Sequence, residues 1–341
     1  MPKLSHPVTC PELKVGVVTN ANARKNRRSS SDRVAVLQAA IGEWGVVRGT
    51  QSVEALDAVI EEFFELDLKI WVADGGDGAF HWMVNRGLMY AERLKRPLPM
   101  ILPSNGGTIN VIGLYLNLKG DPEQVLSRLR ARLESGREIT STPLKSMCFD
   151  AITAQGEEVS CLGFAAALTG AVQSFYERYY ESEDPNHLRA ITIILRVMIS
   201  IILSPLRRGA GFHAYFFKTS LVRLEIDYKE RPELAEINLL NLGAIPTNLG
   251  AIMRVFYLAK DHPIHLMVGQ IYPWRFLGQL MSAALGRPLA NATLYEEGIK
   301  AMSVEALDPA APMHPIIDGE RLHDWTQVRV SPGPIIELPK I

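Results

Sequence analysis

Two short stretches carry residues whose types and spacing suit phosphate chemistry. One is 75–78, GGDG, which follows the apolar run 69–73, KIWVA; the other is 103–110, PSNGGTIN, after a second apolar run. In both, a strand-length segment stops at a loop nearly bare of side chains, and a helix start follows. Gly75, Gly76 and Gly78 would let backbone N–H groups reach a polyphosphate, and Gly107 would do the same in the second loop. The first turn of each following helix adds a partial positive charge. Asp77 is the exception: a carboxylate beside phosphates repels them unless Mg²⁺ bridges the two or the carboxylate accepts a hydroxyl proton. Thr108 and Asn110 can donate and accept hydrogen bonds at the second helix start. Taken singly, each loop also reads as a plain turn with Asp77 or Thr108 capping a helix. Two of them at equivalent strand ends are harder to read as turns alone, because ligands of parallel sheets bind beyond the carboxyl ends of strands.

A third group follows the first apolar run, 14–20: Asn20, then Arg24, Lys25, Arg27 and Arg28. Four cations at a strand end can hold phosphates, and they can equally be a solvated charge run. Near the C-terminus, Asp318-Gly319-Glu320 follows the apolar pair Ile316-Ile317. Asp-Gly is a common hairpin turn, so the triplet by itself says little. Neither GxxxxGK with Ser or Thr nor a GxGxxG on the first strand is present.

These residues must be positioned by the elements around them. The first 140 residues alternate strand and helix signals. Ser31 is placed to cap a helix with Val34, Leu37, Ile41 and Trp44 on one face. Ser52 caps another with Val53, Leu56, Ile60 and Phe63. Asp121-Pro122-Glu123-Gln124 opens a third, with Asp121 as cap. Strands alternating with helices predict an α/β domain built on a parallel sheet. After about residue 140 the chain turns to short strand-length runs separated by Gly, Pro, Asn and Asp, with a helix near 272–285. That texture predicts a mostly antiparallel β-sandwich. The expected division is 1–138, 139–324, and a last strand near 325–341 that returns to the first domain.

The chain has 341 residues and a net charge of −1, a balance that gives no reason to expect broad nucleic-acid binding, although it leaves room for a local basic cluster. Three scattered cysteines without a CxxC suggest a reduced, cytoplasmic protein. The segment 188–206, LRAITIILRVMISIILSPL, is very apolar, but Arg196 interrupts it and Pro205 ends it, which argues against a span. Arg189, Thr192, Arg196, Ser200 and Arg207 form a narrow polar stripe along it. Such a helix is either a core helix with one wet edge or a helix that meets lipid with its arginines at the head groups.

With these motifs in order, the chain resembles the diacylglycerol kinase catalytic family and, more distantly, the NAD kinases. The likeness rests on GGDG (75–78), GGTIN (106–110), Asn20 and DGE (318–320), and it covers nearly the whole chain. It implies an N-terminal α/β nucleotide-binding domain of the diacylglycerol kinase type and a C-terminal antiparallel β-sandwich. It also implies ATP and Mg²⁺ as cofactors. By the same likeness Asn20, Gly75, Gly76, Asp77, Gly78, Thr108 and Asn110 line the nucleotide; Arg24 and Lys25 are candidates for it from the cation cluster alone. Asp318 or Asp77 would be the base that takes the acceptor's proton, and Glu320 would help hold Mg²⁺. The acceptor would be a diacylglycerol- or sphingoid-like lipid, reached at the membrane surface as a peripheral protein; whether the chain forms a homodimer stays open.

The chain departs from the family pattern in four places. Ala79 stands where the family has Thr, and Val111 where it has Asp. The first loop reads NANA, and a cation-holding strand of some members is reduced to DHPIH (261–265), in which Asp261 remains as a metal candidate. His262 and His265 are three apart and fall on opposite faces of a strand, so they are not read as a metal pair. Besides a lipid kinase, two other readings remain: a kinase of a soluble acceptor such as NAD, and a member that binds nucleotide or lipid without catalysis.

Overall fold

The computed structural model describes residues 14–20, 33–107, 110–181, 187–206, 209, 211–249, 253–284 and 293–341. They form two compact units. The first comprises residues 1–107, 118–142 and 337–341, and the second 108–117 and 143–336.

In the first unit, β1 (Val15–Asn20), β2 (Gly45–Thr50), β3 (Ile70–Asp74) and β4 (Met100–Pro103) form a parallel sheet in the order β2-β1-β3-β4. The helices are α1 (Arg33–Ile41), α2 (Val53–Glu65), α3 (Asp77–Leu94) and, after a short α4 (Val111–Tyr115) assigned to the second unit, α5 (Pro122–Glu134). The strands read as near-continuous apolar runs because both faces are covered. Val15, Val17, Ile70 and Val72 pack with Leu37 and Ile41 of α1 and Val125, Leu126 and Leu129 of α5. On the other face, Phe63 and Phe64 of α2 contact the fully buried Trp71. Each such side chain contributes about 2 kcal/mol on leaving water.

The helix starts follow their capping chemistry. Ser52 Oγ accepts the Ala55 N–H at 3.2 Å, and Asp121 and Gln124 form a reciprocal capping box with Pro122 in the first turn. Ser31 lies outside the described residues. The chain order places a topological switch between β1 and β3: the connection from β1 runs to one side and that into β3 to the other. In open α/β sheets, ligands sit beyond the carboxyl ends of the strands at such a point.

The second unit contains two main antiparallel sheets. One runs Lys229–Glu230, Ser220–Ile226, Met302–Ala306, Trp325–Pro332, Met147–Thr153, Glu158–Gly163, with Glu236–Ile237 beside Ser220–Ile226. The other runs Leu294–Ile299, Ile264–Gly269, Leu239–Gly243, Ala165–Gly170, Ile316–Ile317, Glu320–Arg321. Their inner faces meet in one core that includes Phe149, Leu168, Leu224, Leu242, Leu266 and Trp325. Three helices complete the unit: α6 (Ala171–Tyr180), α7 (His187–Ile202) and α8 (Pro273–Ala284). No helix among the described residues is long and apolar enough to cross a membrane.

Candidate functional site

In the first unit the candidate site is founded on Asp74, the last residue of β3. Its carboxylate is 1 % exposed and three side chains converge on it. Thr19 Oγ1, from the end of β1, donates to Oδ2 at 2.7 Å. Ser104 Oγ, just past β4, donates to Oδ1 at 3.0 Å. Arg33, the first residue of α1, donates from Nε to Oδ2 at 3.0 Å and from Nη2 to Oδ1 at 2.8 Å. The third guanidinium nitrogen pairs with Glu123 in the first turn of α5. Burial alone would lower the Arg33 pKa; Asp74, and then Glu123, outweigh it and raise the group above its ordinary value. One buried carboxylate thus ties together the carboxyl ends of three strands and the starts of two helices.

The two glycine loops rise from this base. Ser104 Oγ accepts the Gly75 N–H at 3.3 Å, which joins the loops directly. Their backbones touch: a Cβ on Gly106 would lie 3.0 Å from both N and O of Gly75, and one on Gly76 would lie 3.0 Å from Cα of Gly107. A Cβ on Gly75 would meet the Ala79 methyl at 2.5 Å. The missing side chains are therefore explained first by loop against loop. What that contact achieves is to bring the ends of β3 and β4 and the start of α3 into one place. Gly76 is the N-cap of α3 and supplies no side-chain cap, and the helix then runs 18 residues from Asp77. Its first-turn N–H groups have no intrahelical carbonyl partner and carry the positive end of the dipole. Asn105, held at φ 63°, fastens the second loop by donating from Nδ2 to the Leu118 carbonyl at 2.8 Å.

Gly75, Gly76, Asp77 and Gly107 are brought together here, and Gly78 lies in the first turn of α3. Asn20 ends β1, one residue beyond Thr19, whose register partner is Asp74. Arg24, Lys25 and Thr108 lie outside the described residues. Asn110 adopts a left-handed conformation, φ 55°, before α4, which packs on Thr247–Leu249 in the second unit. Sequence reasoning passed over Asp74, Thr19, Ser104 and Arg33. One signal was available: Asp74 puts a charge at the end of an otherwise apolar strand.

In the second unit, Asp318 and Gly319 join two short strands, with φ 52° and 85°. Positive φ at both positions is the I′ hairpin geometry, which Gly adopts freely and Asp tolerates. The Asp318 side chain turns inward. Oδ1 accepts the N–H groups of Phe164 at 3.0 Å and Ala165 at 2.9 Å, and Oδ2 lies 3.2 Å from the Phe164 nitrogen. The Asp318 N–H donates to the Ala165 carbonyl at 2.9 Å. Tyr180 Oη donates to the Gly319 carbonyl at 3.0 Å, and Glu320 follows half-buried. Burial, and then the Asp318 charge, push the nearby Cys161 thiol up to about 12.

Asp261 is exposed, on a turn whose backbone carbonyls at Ala259, Lys260 and His262 accept from Lys145 Nζ at 2.9, 3.3 and 3.2 Å. That turn already holds a cation of the chain's own. His262 is exposed, while His265 is buried, accepting the Leu258 N–H on Nδ1 at 3.1 Å with Nε2 3.1 Å from Glu296. Among the described residues no three His, Cys, Asp or Glu converge so as to hold a metal ion. A Mg²⁺ carried on nucleotide phosphates needs only one or two protein carboxylates.

No protein-family model and no curated protein sequence matches the chain. Solved structures do. A crystal structure from Bacillus anthracis str. Sterne, described as a "putative diacylglycerol kinase", superposes with a TM-score of 0.59 at 13 % identity, over 94 % of each chain. A second from the same organism, described in the same words, gives 0.59 at 14 % identity over 94 % of each. A third, described as a diacylglycerol kinase, gives 0.53 at 12 % identity over 94 % of this chain and 93 % of that one. The chain has the fold of these proteins: an α/β unit on a parallel sheet and a unit of antiparallel sheets.

Proposed function

We propose that the protein is an ATP-dependent lipid kinase that transfers the γ-phosphate to a hydroxyl of a diacylglycerol- or sphingoid-like lipid. The observation that carries the proposal is the contact between the two glycine loops above Asp74, at the carboxyl end of a parallel sheet and at the N-terminus of a long helix. Phosphoryl transfer needs alignment and charge neutralisation more than covalent help. The loop backbones and the first turn of α3 would cradle the phosphates, with Asn20 and Asn110 as further polar contacts. Mg²⁺ would neutralise phosphate charge when bound, and by the family likeness Glu320 would help hold it. Asp318 would accept the proton of the attacking hydroxyl. The fold shared with proteins described as diacylglycerol kinases supports this reading.

Incubation with γ-labelled ATP and a crude lipid extract, followed by thin-layer separation, tests it. A labelled organic-soluble product is expected. Label in a water-soluble product alone would point to a soluble acceptor. A second reading, binding without transfer, draws on Ala79, whose methyl packs on Gly75 where the resembled family carries a hydroxyl. Nucleotide binding with no labelled product would favour it.

A further inference from the structure

Asn241 is the middle residue of the strand Leu239–Gly243 and is 7 % exposed. Its neighbours Leu240 and Leu242 belong to the core between the two sheets, so the Asn241 side chain lies on the opposite, outer face. There its cross-strand partners are Met267 on one side and Ala167 on the other. Leu239 and Met267 of that face pack with Val172 of α6, Phe217, and Phe276 of α8. In these apolar surroundings Asn241 Oδ1 has no hydrogen-bond partner among the described residues. A buried amide oxygen without a donor costs stability, and an apolar side chain of the same shape would avoid that cost.

The same strand order relates this oxygen to Asp318. The strand Ala165–Gly170 lies between Leu239–Gly243 and Ile316–Ile317. Asp318 is fastened to its first residue, with Oδ1 accepting the Ala165 N–H at 2.9 Å. Ala165 and Ala167 share the outer face, because Ala166 and Leu168 belong to the core. Two residues along a strand and one strand across place Asn241 about 8 Å from the Ala165 end at which Asp318 is held. On the intervening strand the side chains between them are the methyls of Ala165 and Ala167, and the ring of Phe256 lies over Gly243 beside them. The register with Ala165–Gly170 shifts between Leu240 and Asn241, an irregularity of the kind that re-aims a side chain.

We infer that Asn241 is a specificity-determining residue of the acceptor site. Its Oδ1 accepts a hydrogen bond from a second donor, an N–H or O–H, of the lipid whose hydroxyl gives its proton to Asp318. The unpaired atom is a carbonyl oxygen, so what it lacks is a donor. An ester-linked diacylglycerol has none once its hydroxyl is committed to transfer; a lipid with an amide N–H or a further hydroxyl has one. A site that keeps a buried polar group unpaired until its substrate arrives rejects the analogue that cannot pair it. The inference deepens the phosphotransfer reading and rests on it.

Dioctanoylglycerol and its two isosteres in which N–H replaces one bridging ester oxygen test it, each presented in detergent micelles to the full chain. Binding is read without nucleotide, by the lipid's shift of the melting temperature, and transfer by kcat/KM with γ-labelled ATP. One isostere or both should bind more tightly and react about 10-fold better than the ester. Asn241→Leu should erase that preference. Its own melting temperature without lipid should equal or exceed that of wild type, since the variant loses an unpaired polar atom. An isostere preferred in binding, with no lipid phosphorylated, leaves the donor-reading role of Asn241 standing and removes the kinase reading. Equal phosphorylation of all three lipids by wild type keeps the kinase reading and overturns the inference. A preference that survives in Asn241→Leu also overturns it, as does binding of none of the lipids. So does a leucine variant that melts below wild type, because the amide oxygen is then paired within the fold.

Discussion

Arg33 lays two guanidinium nitrogens on the two carboxylate oxygens of Asp74, at 2.8 and 3.0 Å, beneath the loop that begins at Gly75. The pair is nearly buried, with side-chain exposures of 14 % and 1 %. Removing Asp74 takes from Arg33 the more buried of its two counter-ions and from Thr19 and Ser104 the acceptor they share. Asp74→Ala should therefore cost about 3 kcal/mol, read by urea unfolding of the variant against wild type. A loss below about 1 kcal/mol would mean that the pair behaves like a surface ion pair and does not anchor the site.

The close approach of the two glycine loops predicts a steric effect without a change of charge. Gly106→Ala would press a methyl on three backbone atoms of Gly75, all within 3.1 Å, and none of them can swing away. It should cost about 1–3 kcal/mol and weaken nucleotide binding. Gly76→Val should abolish that binding by driving the second loop off at Gly107. Isothermal titration with a non-hydrolysable ATP analogue measures both; wild-type affinity in the valine variant would refute the phosphate-loop assignment.

Asp318→Asn separates a proton acceptor from a structural residue. Its amide oxygen can still accept the Phe164 and Ala165 N–H groups, and Asn tolerates a left-handed backbone. Stability and nucleotide affinity should stay close to wild type. Transfer should fall about 10²–10⁴-fold, the range for loss of a general base. Undiminished transfer would remove Asp318 from the chemistry.

Cys161 reports on the same carboxylate. Burial, and then the Asp318 charge, raise its thiol to about 12, so the reactive thiolate is scarce at ordinary pH. A negative neighbour disfavours the thiolate, and removing it lowers the thiol pKa. With Cys10 and Cys148 changed to Ser, alkylation of Cys161 by iodoacetamide should be slow at mildly alkaline pH and faster in Asp318→Asn. An unchanged rate would mean that Asp318 carries no charge felt at Cys161.

Much of the local structure was legible from the chain. The caps at Ser52 and Asp121 mark helix starts because their side-chain oxygens satisfy N–H groups a few residues away, a relation written in sequence order. The helix expected near 272–285 is α8, Pro273–Ala284, and the strand-length runs expected after residue 140 include the antiparallel pair Met147–Thr153 and Glu158–Gly163. The glycine loops were visible as bare stretches after apolar runs. Their mutual contact was not, since Gly75 and Gly106 meet only once β3 and β4 pair.

By itself the sequence determined the alternation of elements, the two bare loops and the polar stripe along α7, because periodicity, capping and composition are local properties. Tertiary structure alone decided that Thr19, Ser104 and Arg33 converge on Asp74, and that Asp318 turns inward to Phe164 and Ala165. It also decided which apolar side of α7 stays open. Ile193 and Ile199 look alike in a helical repeat, and burial of the first but not the second depends on packing against residues far away in the chain, which spacing does not encode.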